Sequence, residues 1–276
     1  MPASENFKRV VVAIIAIPII LIAAYLGGFY FFSFVAIIAL LSFYEFYLLV
    51  KNKNVNANLL IGEIIIFFLL LNQLVNFINL ISLMIISSLL VLTIELFRNK
   101  GSALLNLGVT YLGIFYIGLF SSTIIALREL YTNSDIYYIN GAYLVISILA
   151  SIWVGDSAAY YFGTAFGKHK LFPRVSPKKS WEGAIFGFIF SSGTIILMKI
   201  FLLNFLTITN AVIIGVIIGI IGQIGDLVES LVKRDSSVKD SSSLIPGHGG
   251  FFDRFVSLIF CAPVIWMYLK YFSDFI

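Results

Sequence analysis

Charge is scarce in this sequence. It has 18 Lys and Arg and 14 Asp and Glu among 276 residues, so 12% of the chain is charged, against about 25% in an ordinary soluble protein. A water-soluble domain of this length needs a polar skin, and so few charges do not make one. Cysteine is scarcer still. Cys261 stands alone, which excludes an internal disulfide, a secreted disulfide scaffold and any Cys-based metal site. It lies in an apolar stretch and reads as a small packed side chain. What fills the chain instead is hydrophobic: 60% of the residues, with a mean hydropathy of +1.02, where soluble domains hold about 45–50%. A disordered chain and a nucleic-acid-binding domain are excluded, a soluble enzyme is disfavoured, and a polytopic all-α membrane protein remains.

A hydrocarbon core of about 30 Å takes roughly 20 apolar residues per helix. Nine spans are predicted, at 10–26, 29–50, 59–75, 80–97, 103–127, 142–164, 183–203, 208–232 and 251–272. The third and fourth are separated only by a short Asn-containing stretch. With the N-terminus in the cytoplasm, 15 of the 18 Lys and Arg residues fall on the inner side, and only Arg128, Lys199 and Lys270 fall outside. Cytoplasmic loops attract Lys and Arg, so this asymmetry supports both count and orientation, and it accounts for the net charge of +4 without a polyanion partner. The first span is long for a signal-peptide core and lacks a clear cleavage site. Polarity divides the chain into an N-terminal membrane region, 1–140, and a C-terminal region, 141–276, with polar cytoplasmic loops at 165–182 and 233–250. No inverted repeat of the transporter kind is evident.

The later spans carry acids: Asp156, Asp226, Glu229 and Asp253. An ionisable residue inside a membrane segment marks function by default. Asp226 precedes Arg234 by eight residues, roughly 12 Å at about 1.5 Å per residue, so it lies in the cytoplasmic half. Asp253 falls in the first turn of the last span, and Asp156 near the inner end of the sixth. Three carboxylates from three helices are therefore expected to meet in one cytoplasm-facing cavity. Asp226, Glu229, Ser230 and Lys233 share one helix face. Gly215, Gly219, Gly222 and Gly225, and the stripe Ala159, Gly163 and Gly167, allow helices to approach closely. Before the seventh span, Ser176-Pro177 reads as an N-cap and N1 pair, which puts Lys178 and Lys179 in a first helical turn. Two lysines beside free N–H groups suit phosphate; the simpler reading is positive-inside bias. The densest polar run holds Lys233, Arg234, Lys239, Asp240, His248, Gly249, Gly250, Asp253 and Arg254. Its glycines permit close backbone approach, its cations suit phosphate, and its acids suit a hard ion such as Mg²⁺.

The run S-x-V-K-R-x4-K-D-x-S-x2-I-P-x-H-G-G-F-x-D-R from Ser230 to Arg254 resembles the characteristic motif of phosphatidate cytidylyltransferases (CDP-diacylglycerol synthases). Upstream, Gly155-Asp156-Ser157-Ala158-Ala159-Tyr160, Gly163, Gly167-Lys168 and Ser176-Pro177-Lys178-Lys179-Ser180-x-Glu182-Gly183 are similar to the rest of that catalytic region. The resemblance spans about 156–254, and so many fixed positions make it specific. The family pattern has a further Asp where this chain has Val256. The resemblance implies a cytidylyl transfer from CTP to phosphatidic acid, a homodimer in a bacterial cytoplasmic membrane with the site facing the cytoplasm, and Mg²⁺ as one ion or two, a monovalent cation being left open. It implies Asp226 and Asp253 as metal ligands, with Asp156 and Glu229 as weaker ones. It also implies Ser176, Lys178, Lys179 and Ser180 on the triphosphate. Lys233, Arg234, Lys239, His248 and Arg254 are shared between the two phosphate groups. Tyr160, Glu182, Ser230, Asp240, Gly249 and Gly250 complete the substrate site. An anion transporter, another lipid-phosphate enzyme and a non-catalytic member of the family stay as alternatives, the last because of Val256.

Overall fold

A computed structural model of the protein describes residues 3–131, 136–245 and 249–273, with backbone alone for 3–9. Among these residues run α1 (Ala3–Leu26), α2 (Gly28–Lys51), α3 (Leu59–Val75), α4 (Leu80–Arg98), α5 (Ala103–Arg128) and α6 (Ile139–Phe166). A hairpin of β1 (Lys170–Phe172) and β2 (Ser176–Ser180) follows, then α7 (Trp181–Phe201), α8 (Ile208–Asp235) and α9 (Phe251–Tyr271). Seven of these helices are long and apolar enough to cross a membrane. The apolar stretch Val10–Leu26 of α1 and helix α3 are shorter.

Polar side chains set the helix boundaries. Asn58, Asn79, Ser102, Ser180 and Thr207 each accept a hydrogen bond from a first-turn backbone N–H, at 2.9–3.5 Å, the ordinary way to satisfy those donors. The Asn-containing break between the third and fourth spans is a stop followed by a start. Asn76 closes α3 in the left-handed region, at φ 48°, and Asn79 opens α4 three residues later. Gly27 and Gly28, at φ 66° and 50°, make the tight joint between α1 and α2, where a side chain would strain the backbone.

The burial pattern is that of helices in lipid. On α4 the buried residues are Leu83, Ser87, Val91 and Glu95, one stripe at four-residue spacing. Ile81, Ile85, Ile86, Leu89 and Leu96 are exposed. On α7 the buried residues are Gly183, Gly187, Ser191 and Ile195, while Ile185, Ile189, Phe190 and Leu197 face outward. Five of these eight buried residues are small or polar, and the outer faces are large and apolar, the reverse of a soluble helix.

The chain forms two compact units, Met1–Ala126 with Asp235–Phe255, and Leu127–Arg234 with Val256–Ile276. They interleave along the sequence. In the first, the fully buried Phe43 ring of α2 fills the space left by Gly62 of α3 and Gly113 of α5. A Cβ at either glycine would stand 2.2 or 2.4 Å from that ring. In the second, Gly155, Ala159 and Gly163 of α6 lie against Gly183, Gly187 and Ser191 of α7, with virtual Cβ contacts of 2.7–3.3 Å. The glycines of α8 serve two neighbours: Gly215 and Gly219 meet α7, and Gly222 and Gly225 meet Ser257, Phe260 and Cys261 of α9. Cys261 is buried, the packed side chain its setting indicated.

The segment before α7 departs from expectation. Ser176–Ser180 is an extended strand paired antiparallel with β1, Phe172 opposite Ser176 and Lys170 opposite Ser180. The helix starts at Trp181, and its cap is Ser180, not Ser176. Ser-Pro carries the local signature of a helix start, but pairing with β1 extends the chain for five residues first. Lys178 and Lys179 therefore lie on a strand, not in a helical turn, and alternate between its faces.

Candidate active site

In the second unit that alternation separates the two lysines. Lys178 is exposed, whereas Lys179 is half-buried and its ammonium forms an ion pair with the Asp226 carboxylate. Asp226 follows a π-helical segment, Ile218–Gly222. Such wide turns are frequent at functional sites. In the turn between, the Gln223 amide donates to the carbonyls of Ala184 (3.0 Å) and Gly219 (2.6 Å), which ties α8 to α7 one turn before the acid. Farther along α8, Arg234 Nε donates to the Val175 carbonyl in the hairpin turn at 3.3 Å. The hairpin is thus anchored to α8 at two points, Lys179 and Arg234.

The face predicted for α8 is present. Lys233 Nζ lies 2.7 Å from Glu229 Oε1, and both side chains are buried along with Ser230. A buried ion pair neutralises both charges, and removing one partner typically costs about 3–5 kcal/mol. Glu229 is therefore the partner of Lys233. Asp156 lines a small cavity of about 20 Å³ with Gly187, Ser191, Gln223 and Ser257, room for one water-sized group. Tyr160 is exposed beside Tyr161. Ser176 is half-buried. Glu182, in the first turn of α7, accepts from both the backbone N–H and the ring of His169, the ring Nδ1 at 2.6 Å. This contact closes the base of the hairpin. Val256 is buried in this unit, 2% exposed.

In the first unit the acid is held differently. Asp253 Oδ2 accepts from Gly250 N (2.8 Å), Ser241 N (3.0 Å) and Ser241 Oγ (2.9 Å). Gly250 precedes α9 and Asp253 is its third residue, so this is the half of a capping box in which an acid reaches back to the cap N–H. Gly249, at φ 84°, turns the chain into that cap. A second acid completes the arrangement. Glu45 of α2, 0% exposed, accepts from Phe251 N (2.9 Å) and Ser242 Oγ (2.6 Å) through Oε1, and from Phe252 N (2.9 Å) and Ser241 Oγ (2.8 Å) through Oε2. A Cβ on Gly250 would stand 2.0 Å from Ser241 Oγ and 2.3 Å from Glu45 Oε2. Phe252, fully buried, packs edge-on against Tyr116 with ring centres 5.7 Å apart; Tyr116 belongs to the other π-helical segment, Ile114–Leu119. Lys239, Asp240 and Arg254 are exposed. His248 lies outside the described residues.

Asp226 and Asp253 thus belong to different units, each with surroundings of its own. Among the described residues no three His, Cys, Asp or Glu side chains gather to hold a metal ion. Sequence reasoning missed Glu45, Ser241, Ser242, Gln223 and His169. The signal for Glu45 was available: it is the one acid inside the span at 29–50, and an acid in such a setting demands a reason.

Known proteins resemble the chain over most of its length. The profile of the cytidylyltransferase family matches residues 7–272. A phosphatidate cytidylyltransferase of Staphylococcus haemolyticus is 35% identical over 266 residues, 93% of this chain and 96% of that protein. One of Haemophilus influenzae is 42% identical over 161 residues, 57% of this chain and 54% of that protein. An uncharacterised protein of Escherichia coli, YnbB, is 44% identical over 134 residues, 48% of this chain and 44% of that protein. With a match that runs nearly from end to end, the chain belongs to the cytidylyltransferase family.

Proposed function

We propose that this protein transfers the cytidylyl group of CTP to phosphatidic acid, giving CDP-diacylglycerol and diphosphate. An oxygen of the lipid phosphate attacks the α-phosphorus of CTP, and the bond to the β-phosphate oxygen breaks. The nucleophile is already anionic, so a general base is hardly needed. The difficulty lies in bringing two polyanions together and in stabilising the charge that develops on the leaving diphosphate, which is a task of positioning and electrostatics.

The observation that carries the proposal is the Lys179–Asp226 pair, held between the hairpin and α8 in a chain with a family match over residues 7–272. A half-buried carboxylate already satisfied by one cation suits another. Mg²⁺ usually takes one or two carboxylates together with water and substrate phosphates, not a cage of protein ligands. Asp226 and Asp253 would hold the metal, which when bound would neutralise phosphate charge and polarise the α-phosphorus. Lys179, once released from Asp226, and the exposed Lys178 would take the triphosphate, with Ser176 beside them. Ser180 instead serves as the cap of α7. Arg234, Lys239 and Arg254 would neutralise the remaining phosphate charge. Lys233 and Glu229 neutralise each other and keep α8 rigid beneath the site. We further propose a homodimer in a bacterial cytoplasmic membrane with the site facing the cytoplasm, an orientation supported by the bias of Lys and Arg between the loops.

The test is direct. Purified protein in detergent, given α-labelled CTP, phosphatidic acid and Mg²⁺, is expected to move the label into a CDP-lipid, with unlabelled CTP competing better than ATP or GTP. Label that stays in the aqueous phase, under conditions where a phosphatidate cytidylyltransferase is active, contradicts the proposal.

A further inference from the structure

Glu45 has no place in the proposed chemistry, yet it is a fully buried acid on a membrane helix. It lies six residues before Lys51 at the end of α2, about 9 Å at about 1.5 Å per residue. Burying a carboxylate is costly unless it is well hydrogen-bonded. This one is: two backbone N–H groups and two hydroxyls meet its two oxygens at 2.6–2.9 Å. A carboxylate has about four acceptor sites; three donors here are Glu45's own, and the fourth, the Ser241 hydroxyl, is shared with Asp253. Both oxygens of Glu45 are thus engaged by protein donors.

Its donors show what it does. Phe251 N and Phe252 N open α9, and first-turn N–H groups need a partner from outside the helix. The residue at the cap is Gly250, which has no side chain to supply one, so Glu45 caps α9 from another helix. The same acid binds Ser241 and Ser242 of the loop before α9. Ser241 in turn gives its backbone N–H, and shares its hydroxyl, with Asp253. A hydroxyl has one proton, so Ser241 bridges the two acids and donates to one at a time. Each group that fixes Asp253 Oδ2, the Gly250 N–H included, lies within one residue of a Glu45 contact.

We propose that Glu45 is a positioning residue: it holds the Ser241–Ser242 loop and the start of α9 so that Asp253 keeps one orientation. The activity arm of the test rests on the cytidylyl-transfer reading; the exchange arm does not. The experiment compares full-length wild type, Glu45→Gln and Ser241→Ala, purified in detergent. Amide hydrogen exchange is followed without nucleotide, and the Mg²⁺ dependence of CDP-diacylglycerol formation is titrated. In Glu45→Gln an amide NH₂ replaces one acceptor and faces an N–H. Exchange at residues 241 and 250–253 is then expected to quicken by about tenfold or more, while residues 65–70 of α3 keep wild-type protection. The half-saturating Mg²⁺ concentration is expected to rise about threefold or more. Ser241→Ala is expected to move both readouts in the same direction by less. Unchanged exchange at these amides overturns the proposal. So does quickened exchange with an unmoved Mg²⁺ requirement, which would make Glu45 a structural pin. If Glu45→Gln loses protection throughout, Ser241→Ala decides on the same two readouts. A wild type that forms no CDP-diacylglycerol sinks the functional reading alone, and exchange then decides the positioning.

Discussion

The two acids on which the proposed chemistry depends are held by opposite means. In the first unit, Asp253 is bound by the Ser241 hydroxyl and by two backbone N–H groups, and those N–H groups move only if the loop or helix end moves. In the second, Asp226 is bound by the ammonium of Lys179, the tip of a long flexible side chain on a strand. An acid fixed by N–H groups is preorganised before any ligand arrives. An acid matched to a lysine can exchange that partner for another cation while the lysine turns to a phosphate. Charge pairing and orientation are thus separate tasks, and the fold assigns them to different surroundings.

Three pairs of substitutions sharpen or break this contrast. The largest effect is expected from Gly250→Ala, which sets a methyl against Ser241 Oγ and Glu45 Oε2. A shift of about 1 Å in a reacting group can cost about 10²-fold, so CDP-diacylglycerol formation should fall by about that factor. Gly108→Ala, which meets nothing within 4 Å, should leave the rate alone. Equal rates for the two would mean that the cap geometry is not needed. Next come the lysines. Lys179→Ala removes a charge-assisted contact worth about 1.5–3 kcal/mol, so kcat/KM for CTP should fall by roughly 10- to 100-fold. Lys178→Ala, on the exposed face of the strand, should change it by about threefold or less. The reverse order would reject the assignment of faces. The smallest effect concerns stability alone. Gly183→Ala brings a Cβ to 2.7 Å from the Ala159 carbonyl oxygen and should cost about 1–3 kcal/mol by overpacking, read as a lower Tm in detergent. Gly193→Ala, which touches nothing within 4 Å, should raise Tm slightly, by about 0.5–1 kcal/mol of stability.

Much of this was legible before the structure, because bilayer spans are local. Span length, the Asn76–Asn79 break and the shared face of Glu229 and Lys233 all follow from periodicity within one segment. The exceptions were interactions between distant segments. The hairpin was hidden because Ser176-Pro177 has the chemistry of a helix start, and nothing local announces that β1 will pair with the chain for five residues. Lys179 and Asp226 are 47 residues apart, and a sequence does not say which acid a lysine will face. Glu45 lies about 200 positions from the loop it holds, inside a span that otherwise reads as lipid-facing helix.

The central claim is that Asp226 and Asp253 both carry the transfer. It is tested most directly by measuring CDP-diacylglycerol formation from saturating CTP, phosphatidic acid and Mg²⁺ with Asp226→Asn and Asp253→Asn, each shown to insert and to elute like wild type. Each substitution should lower turnover by on the order of 10²–10³-fold or more, as expected when a preorganised charge at a phosphoryl-transfer site is lost. Turnover within about threefold of wild type in either variant would contradict the claim and remove that acid from the site.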